Sequence, residues 1–182
     1  ILEYAHSRGL TWTPDEPFAM PTRFDLINLT PLVAAVRGGH LECVRYLLDS
    51  GAALEPSVSA IACEHGHLHI LKLFHERGAV WEEGVCFFAI VHNQMECLQY
   101  LMENGCPWSE EASTHAARNG QLTMLAYVVE NGNPCTAETL IAAVSTKEDS
   151  FAIVQYLIEG NHVPLSSEVS FMHIAFLLGV LV

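Results

Sequence analysis

Two short stretches of the chain hold the side chains best suited to chemistry. Cys63-Glu64-His65-Gly66-His67-Leu68-His69 alternates three histidines beside a thiol and a carboxylate. Asn104-Gly105-Cys106-Pro107-Trp108-Ser109-Glu110-Glu111 sets a cysteine and a tryptophan against two acids. Imidazole and thiolate are zinc ligands, and alternating histidines would share one side of an extended strand. A turn entering a helix would not place them on one side, so no metal ligand is expected there. The chain has ten histidines and six cysteines, yet it has no Cys-x-x-Cys pair, Gly-x-Ser-x-Gly, Walker loop or His-Glu-x-x-His. No nucleophile, base and orienting group stand together. The sequence therefore reads as non-enzymatic, with no catalytic residue, cofactor or small-molecule substrate expected.

Both stretches belong to a larger pattern. Residues 39–51 (GHLECVRYLLDSG) align with 66–78, 93–105 and 120–132. Leu41, Leu68, Met95 and Leu122 recur every 27 residues, as do Gly51, Gly78, Gly105 and Gly132, and Ala35, Ala62, Ala89 and Ala116. A fifth copy, 149–160, follows with two extra residues before Phe151. Each copy predicts two helices. The second carries apolar residues at helical spacing, such as Leu41, Val44, Leu47 and Leu48, and ends at a glycine able to take a left-handed conformation. The first is short and rich in small residues, with an alanine that lets neighbouring helices approach. Neither helix can bury its apolar stripe alone, so each pair must stack on the next.

That period explains the second stretch. Three residues past each terminating glycine stand Trp12, Leu54, Trp81, Trp108 and Cys135, followed by Thr13, Glu55, Glu82, Ser109 and Thr136. Ser and Thr are good N-caps, Pro14 and Pro56 suit a first helical position, and acids suit a helix N-terminus. NGCPWSEE thus stops one helix, inserts an apolar plug and caps the next. The cysteines occupy columns filled elsewhere by apolar or small residues: Cys43 and Cys97 with Ile70 and Met124, Cys63 with Val36, Cys86 with Leu32, and Cys106 with Ala52. Cys135 stands in the tryptophan column. Reduced, buried thiols are expected, and with them an intracellular, cytoplasmic setting.

Residues 30–52 resemble an ankyrin repeat: Thr30-Pro31-Leu32-Val33-Ala34-Ala35, then Gly39-His40-Leu41-Glu42, Tyr46-Leu47-Leu48 and Gly51-Ala52. Val33 replaces the family's signature histidine, Thr-Pro-Leu occurs in one copy, and the period is 27 residues rather than the family's roughly 33. The missing residues fall in the connection after the glycine, which in the family forms a protruding β-hairpin. The resemblance implies an all-α solenoid of stacked antiparallel helix pairs with shortened hairpin connections. Residues 1–182 are expected to form one solenoid: a partial repeat 1–12, an inserted loop 13–29, full repeats 30–56, 57–83, 84–110, 111–136 and 137–165, and a truncated repeat 166–182. Both ends fall inside repeats, so the chain reads as a fragment.

Composition narrows the partner. Eight Lys and Arg against 21 Asp and Glu give a formal charge of −13, which disfavours nucleic acid and anionic lipid and suits a basic protein or peptide. No segment reaches the ~20 apolar residues needed to span a bilayer. The residues before the Gly-His-Leu turn vary between copies: Arg37-Gly38, Glu64-His65, Val91-His92 and Arg118-Asn119. The resemblance puts this column on a concave helical face. Arg37, Glu64, His65, His92, Arg118 and Asn119 are therefore the expected partner-binding residues of a protein–protein interaction or scaffolding module. The second reading is a non-catalytic targeting or substrate-adaptor segment of a larger enzyme or protein-modification complex.

Overall fold

The structure, a computed structural model, describes residues 30–145, 150–160 and 162–163. The expected partial repeat 1–12, loop 13–29 and truncated repeat 166–182 lie outside the described residues. Ten helices and no strand occur among the described residues: α1 Pro31–Arg37, α2 Leu41–Asp49, α3 Pro56–Glu64, α4 Leu68–Glu76, α5 Glu83–Val91, α6 Met95–Glu103, α7 Ala112–Arg118, α8 Leu122–Glu130, α9 Ala137–Val144 and α10 Ser150–Glu159. The chain divides into two compact units, Ile1–Pro107 and Trp108–Val182.

In the first unit, α1 pairs with α2, α3 with α4 and α5 with α6. Like helices then stack on like: α1 on α3 on α5, and α2 on α4 on α6. In the second unit α7 pairs with α8, α9 with α10, and α7 packs on α9. This is an all-α solenoid arrangement of helix pairs. No strand fills the segments 50–55 and 77–82 that join successive pairs in the first unit, as the short period requires.

The buried columns keep the period. Val44, Leu71, Leu98 and Leu125 are fully buried, and so are Leu47, Phe74, Leu101 and Val128. Among first helices, Ala35, Ala62, Ala89 and Ala116 are all buried, which lets the α1–α3–α5 layer and the α7–α9 layer close up. The apolar residue opening each second helix is only half-buried at Leu41, Leu68, Met95 and Leu122, and Phe151, its counterpart in α10, is exposed. The sheltered side of the second helix begins two or three residues later, at Val44, Ile70, Cys97, Met124 and Ile153.

Capping follows expectation at some joints and departs at one. The Thr30 hydroxyl accepts from the Val33 N–H at 3.3 Å, and Pro31 and Pro56 each open a helix. Thr136 precedes α9, and its N–H donates to Thr139 Oγ1 at 3.1 Å. Ser109 is not the N-cap of α7. Its Oγ accepts from the Glu111 N–H at 3.1 Å, and its carbonyl accepts from Ala112 N–H at 3.1 Å. The serine side chain thereby closes a local turn, which delays the helix so that Glu111 becomes the N-cap.

Each of the first four pairs uses two left-handed residues. Gly51, Gly78, Gly105 and Gly132 end the second helices at φ 95°, 82°, 77° and 90°. Gly39, Gly66 and Gly120, with Asn93 at φ 56°, make the turn between helices; asparagine tolerates this conformation better than most residues. The two columns differ in their surroundings. A Cβ on Gly51 would meet nothing within 4 Å, whereas one on Gly39 would lie 2.7 Å from the His67 ring. Gly51→Ala should therefore cost only the backbone strain, about 1–2 kcal/mol, and Gly39→Ala distinctly more. Urea unfolding of both variants, each also combined with His67→Ala, checks this: the second change should relieve Gly39→Ala and leave Gly51→Ala unaffected.

Candidate functional site

In the first unit, the expected binding residues sit where the first helices end. Arg37 is the last residue of α1 and Glu64 of α3, while His65 and His92 are the C-caps of α3 and α5. Arg37, His65 and His92 are exposed and Glu64 is half-buried. The C-caps follow from chain geometry: past the left-handed residue the backbone reverses, leaving the preceding side chain outside the stack. His92 lies parallel to Phe88, with ring centroids 6.3 Å apart and planes 6° apart. In the second unit Arg118 ends α7 and Asn119 caps it; both are exposed, and Arg118 stands 3.7 Å from Glu138.

Beneath these side chains the first unit is fastened repeat to repeat. His67 Nε2 donates to the Arg37 carbonyl at 3.1 Å, His69 Nε2 to the Gly39 carbonyl at 3.2 Å, and Gln94 Nε2 to the Glu64 carbonyl at 3.3 Å. A carbonyl can only accept, which fixes the proton on each imidazole nitrogen. Histidine and glutamine thus do one job from one column: each satisfies a carbonyl that the end of a first helix leaves open. The turn histidine His67 thus bonds to the preceding repeat.

The alternating histidines do come together, contrary to expectation. His65 and His67 stack with centroids 5.9 Å apart, and His67 and His69 lie 5.7 Å apart. Gly66, in the left-handed region, turns the backbone between His65 and His67 enough to align rings that a plain helix start would splay. Their hydrogen atoms are committed to carbonyls, including His65 Nδ1 to the Ile61 carbonyl at 3.1 Å. No group of three or more His, Cys, Asp or Glu side chains among the described residues is placed to hold a metal ion.

All six cysteines are free thiols. Cys63, Cys86, Cys97 and Cys106 are buried, while Cys43 and Cys135 are half-buried. Cys86 Sγ lies 3.1 Å from Cys106 Sγ. A hydrogen bond to Cys97, then burial, pushes the Cys63 pKa far up; a hydrogen bond to Cys106, then burial, does the same for Cys86. Such thiols stay protonated near neutral pH and are poor nucleophiles. Burial likewise raises the pKa of Cys135, opposed by a hydrogen bond with Ser113.

The second unit holds a buried polar joint that the repeat pattern does not announce. Asn133 takes the column of Ala52 and Cys106 yet is buried. Its Oδ1 accepts from the Ser113 N–H at 3.0 Å, and its Nδ2 donates to the Ser109 carbonyl at 2.8 Å. The Ser113 hydroxyl donates to the Pro134 carbonyl at 2.6 Å, and the Thr114 and Thr139 hydroxyls meet at 2.9 Å. The only sequence signal was an asparagine in an otherwise apolar column.

The ankyrin-repeat sequence profile matches residues 28–57. The matched segment is an ankyrin repeat. The chain's structure is similar to that of the human ASB11 ankyrin repeat domain, with a TM-score of 0.55 at 20% identity over 71% of this chain and 68% of that one. At that identity the likeness is one of fold. No curated protein matches the sequence. Ankyrin repeats generally mediate protein–protein interaction, and the fold is typically a non-catalytic one. Among the described residues, no helix is long and apolar enough to cross a membrane.

Two outcomes follow from the histidine bonds and the buried thiols. His67→Gln should hold stability within about 0.5 kcal/mol, because glutamine already fills this column at Gln94, whereas His67→Ala should lose about 1 kcal/mol, one net hydrogen bond; urea unfolding reads both. Iodoacetamide near neutral pH should alkylate Cys43 and Cys135 first. Peptide mapping should find the four buried cysteines labelled only after denaturant is added.

Proposed function

We propose that this chain is a protein-recognition module that does no chemistry of its own. It binds a basic protein or peptide, on the first unit, through the face built by Arg37, Glu64, His65 and His92. One observation carries the reading: at these helix ends the backbone is tied to the next repeat by His67 and Gln94, while the side chains beside those carbonyls are exposed or half-exposed and differ between copies. Such an arrangement fixes the platform and leaves its chemistry free to vary. The formal charge of −13 favours encounter with a cationic surface and disfavours nucleic acid or anionic membrane. Arg118 and Asn119 are the matching positions of the second unit and would serve it in the same way. Free buried thiols fit a reducing, intracellular compartment.

The test is capture of partners by the immobilised chain, followed by titration of each captured protein at low and high salt. Glu64→Lys should weaken binding of a basic partner by about tenfold or less, and His92→Glu should strengthen it by a similar factor, as expected for rim charges. Added salt should weaken the wild type more than Glu64→Lys. Unchanged affinity in both variants would move the binding face elsewhere.

A further inference from the structure

One contact recurs between a first helix and the connection that closes its own repeat. In the second unit it joins the Ser113 N–H to Asn133 Oδ1 at 3.0 Å. In the first unit the same two columns hold Cys86, on α5, and Cys106, in the connection after α6. Cys86 Sγ donates to Cys106 Sγ at 3.1 Å, about 1 Å longer than a disulfide bond. Other copies place Leu32 with Ala52 and Ser59 with Ala79 in these columns, so of the four copies this one alone sets sulfur against sulfur. The repeat's backbone brings the two positions together, and a small side-chain movement would bond the sulfurs.

The two thiols are not equivalent. The hydrogen bond from Cys86 holds the Cys106 pKa below the usual thiol value, against the effect of burial, while the same bond and burial raise that of Cys86. Cys106 is therefore the better nucleophile of the two. It also lies nearer solvent, with 4% of its surface exposed where Cys86 has none. It stands outside any helix, one residue before the first unit ends, and its N–H is held by the Leu101 carbonyl at 2.9 Å. Opening a connection costs less than unfolding the whole. Such an opening admits a small oxidant to Cys106 while Cys86 stays within α5. Openings of this kind are rare, so a short exposure to iodoacetamide leaves Cys106 unlabelled, whereas hours in an oxidant accumulate product.

We propose that Cys86 and Cys106 are a redox modification site, joined as a reversible disulfide when the chain meets hydrogen peroxide. The Cys106 thiolate attacks one peroxide oxygen; the S–O bond forms, the O–O bond breaks, and the departing hydroxide takes up the thiol's proton as water. This leaves a sulfenic acid. When the connection closes again, Cys86 sulfur attacks Cys106 sulfur; the S–S bond forms, the S–O bond breaks, and hydroxide leaves with the Cys86 proton as a second water. Two thiols have given up two electrons, and the peroxide has become two waters. A dithiol reductant reverses the bond by exchange. The disulfide links residues 20 apart and closes a loop through α5 and α6, which removes that freedom from the unfolded chain. Oxidation thereby staples the repeat that carries His92.

The experiment incubates the folded full chain with hydrogen peroxide, blocks remaining thiols with N-ethylmaleimide and maps peptides without reduction. The peptides of Cys86 and Cys106 should appear joined, lighter by two hydrogens than the sum of the separate pair. The urea midpoint should rise by about 1 M or more, and dithiothreitol should return it. Cys86→Ser should stop at a Cys106 sulfenic acid that dimedone captures, and Cys106→Ala should give neither product nor a raised midpoint. Both variants should fold, because the two columns already hold Ser59 and Ser113, and Ala52 and Ala79. Absence of the Cys86–Cys106 disulfide, a main product joining Cys63 to Cys97, or a bond that forms only after urea has unfolded the chain would each overturn the assignment.

Discussion

The structure depends on one constraint: a pair of helices no longer than ten residues cannot bury its own apolar stripe. Val44 and Leu47 on α2 have no interior until α4 lies beside them, and Ile70, Leu71 and Phe74 on α4 supply it while needing α6 in turn. Isolated helices of this length are marginal in water, so the joint between repeats is where folding free energy is gained. Small residues decide how close that joint can be. The buried alanine of each first helix removes the side chain that would hold the layers apart, and the hydrophobic gain rises with the area so covered.

The joints are not chemically uniform, although the backbone repeats. In the column where the first unit buries Ala52 and Cys106, the second unit buries Asn133. An amide in an apolar setting is costly unless its groups are paired. Asn133 meets that demand with Ser113 and the Ser109 carbonyl, and Thr114 and Thr139 pair beside it. The polar joint demands one alignment of α7 and α9, because sliding either helix would strand several buried groups at once. An apolar or thiol joint tolerates small shifts at little cost. The two chemistries thus differ in how narrowly they specify register.

Much of the architecture was legible from the sequence because it is periodic. The in-step glycines and alanines report backbone conformation and burial directly, and the structure places them in left-handed turns and buried layers. Much of what stayed hidden has a common cause: one member of the interaction was a backbone group, which the pattern of side chains does not display. No pattern of side chains shows that His67 reaches Arg37, or Gln94 reaches Glu64, across a repeat. The delayed start of α7 is hidden for the same reason, since Ser109 bonds a backbone N–H two residues on. The stacked histidines escaped notice because a helical or extended template omits the left-handed Gly66 between them. The candidate face was legible as a variable column; its fastening from below was not.

That fastening bears on recognition. A binding surface must hold its side chains at fixed separations, or each contact is weakened by the entropy of ordering it. At two first-helix ends, Arg37 and Glu64 each lend a carbonyl to a histidine or glutamine 30 residues on, which ties their backbone to the next repeat. Substituting Arg37 or Glu64 changes what the surface presents without touching that bond, because it takes a carbonyl from one residue and a side chain from another. On the proposed face, stability and specificity would thereby fall to different atoms of the same short segment. A repeat built this way can change partners while keeping its fold.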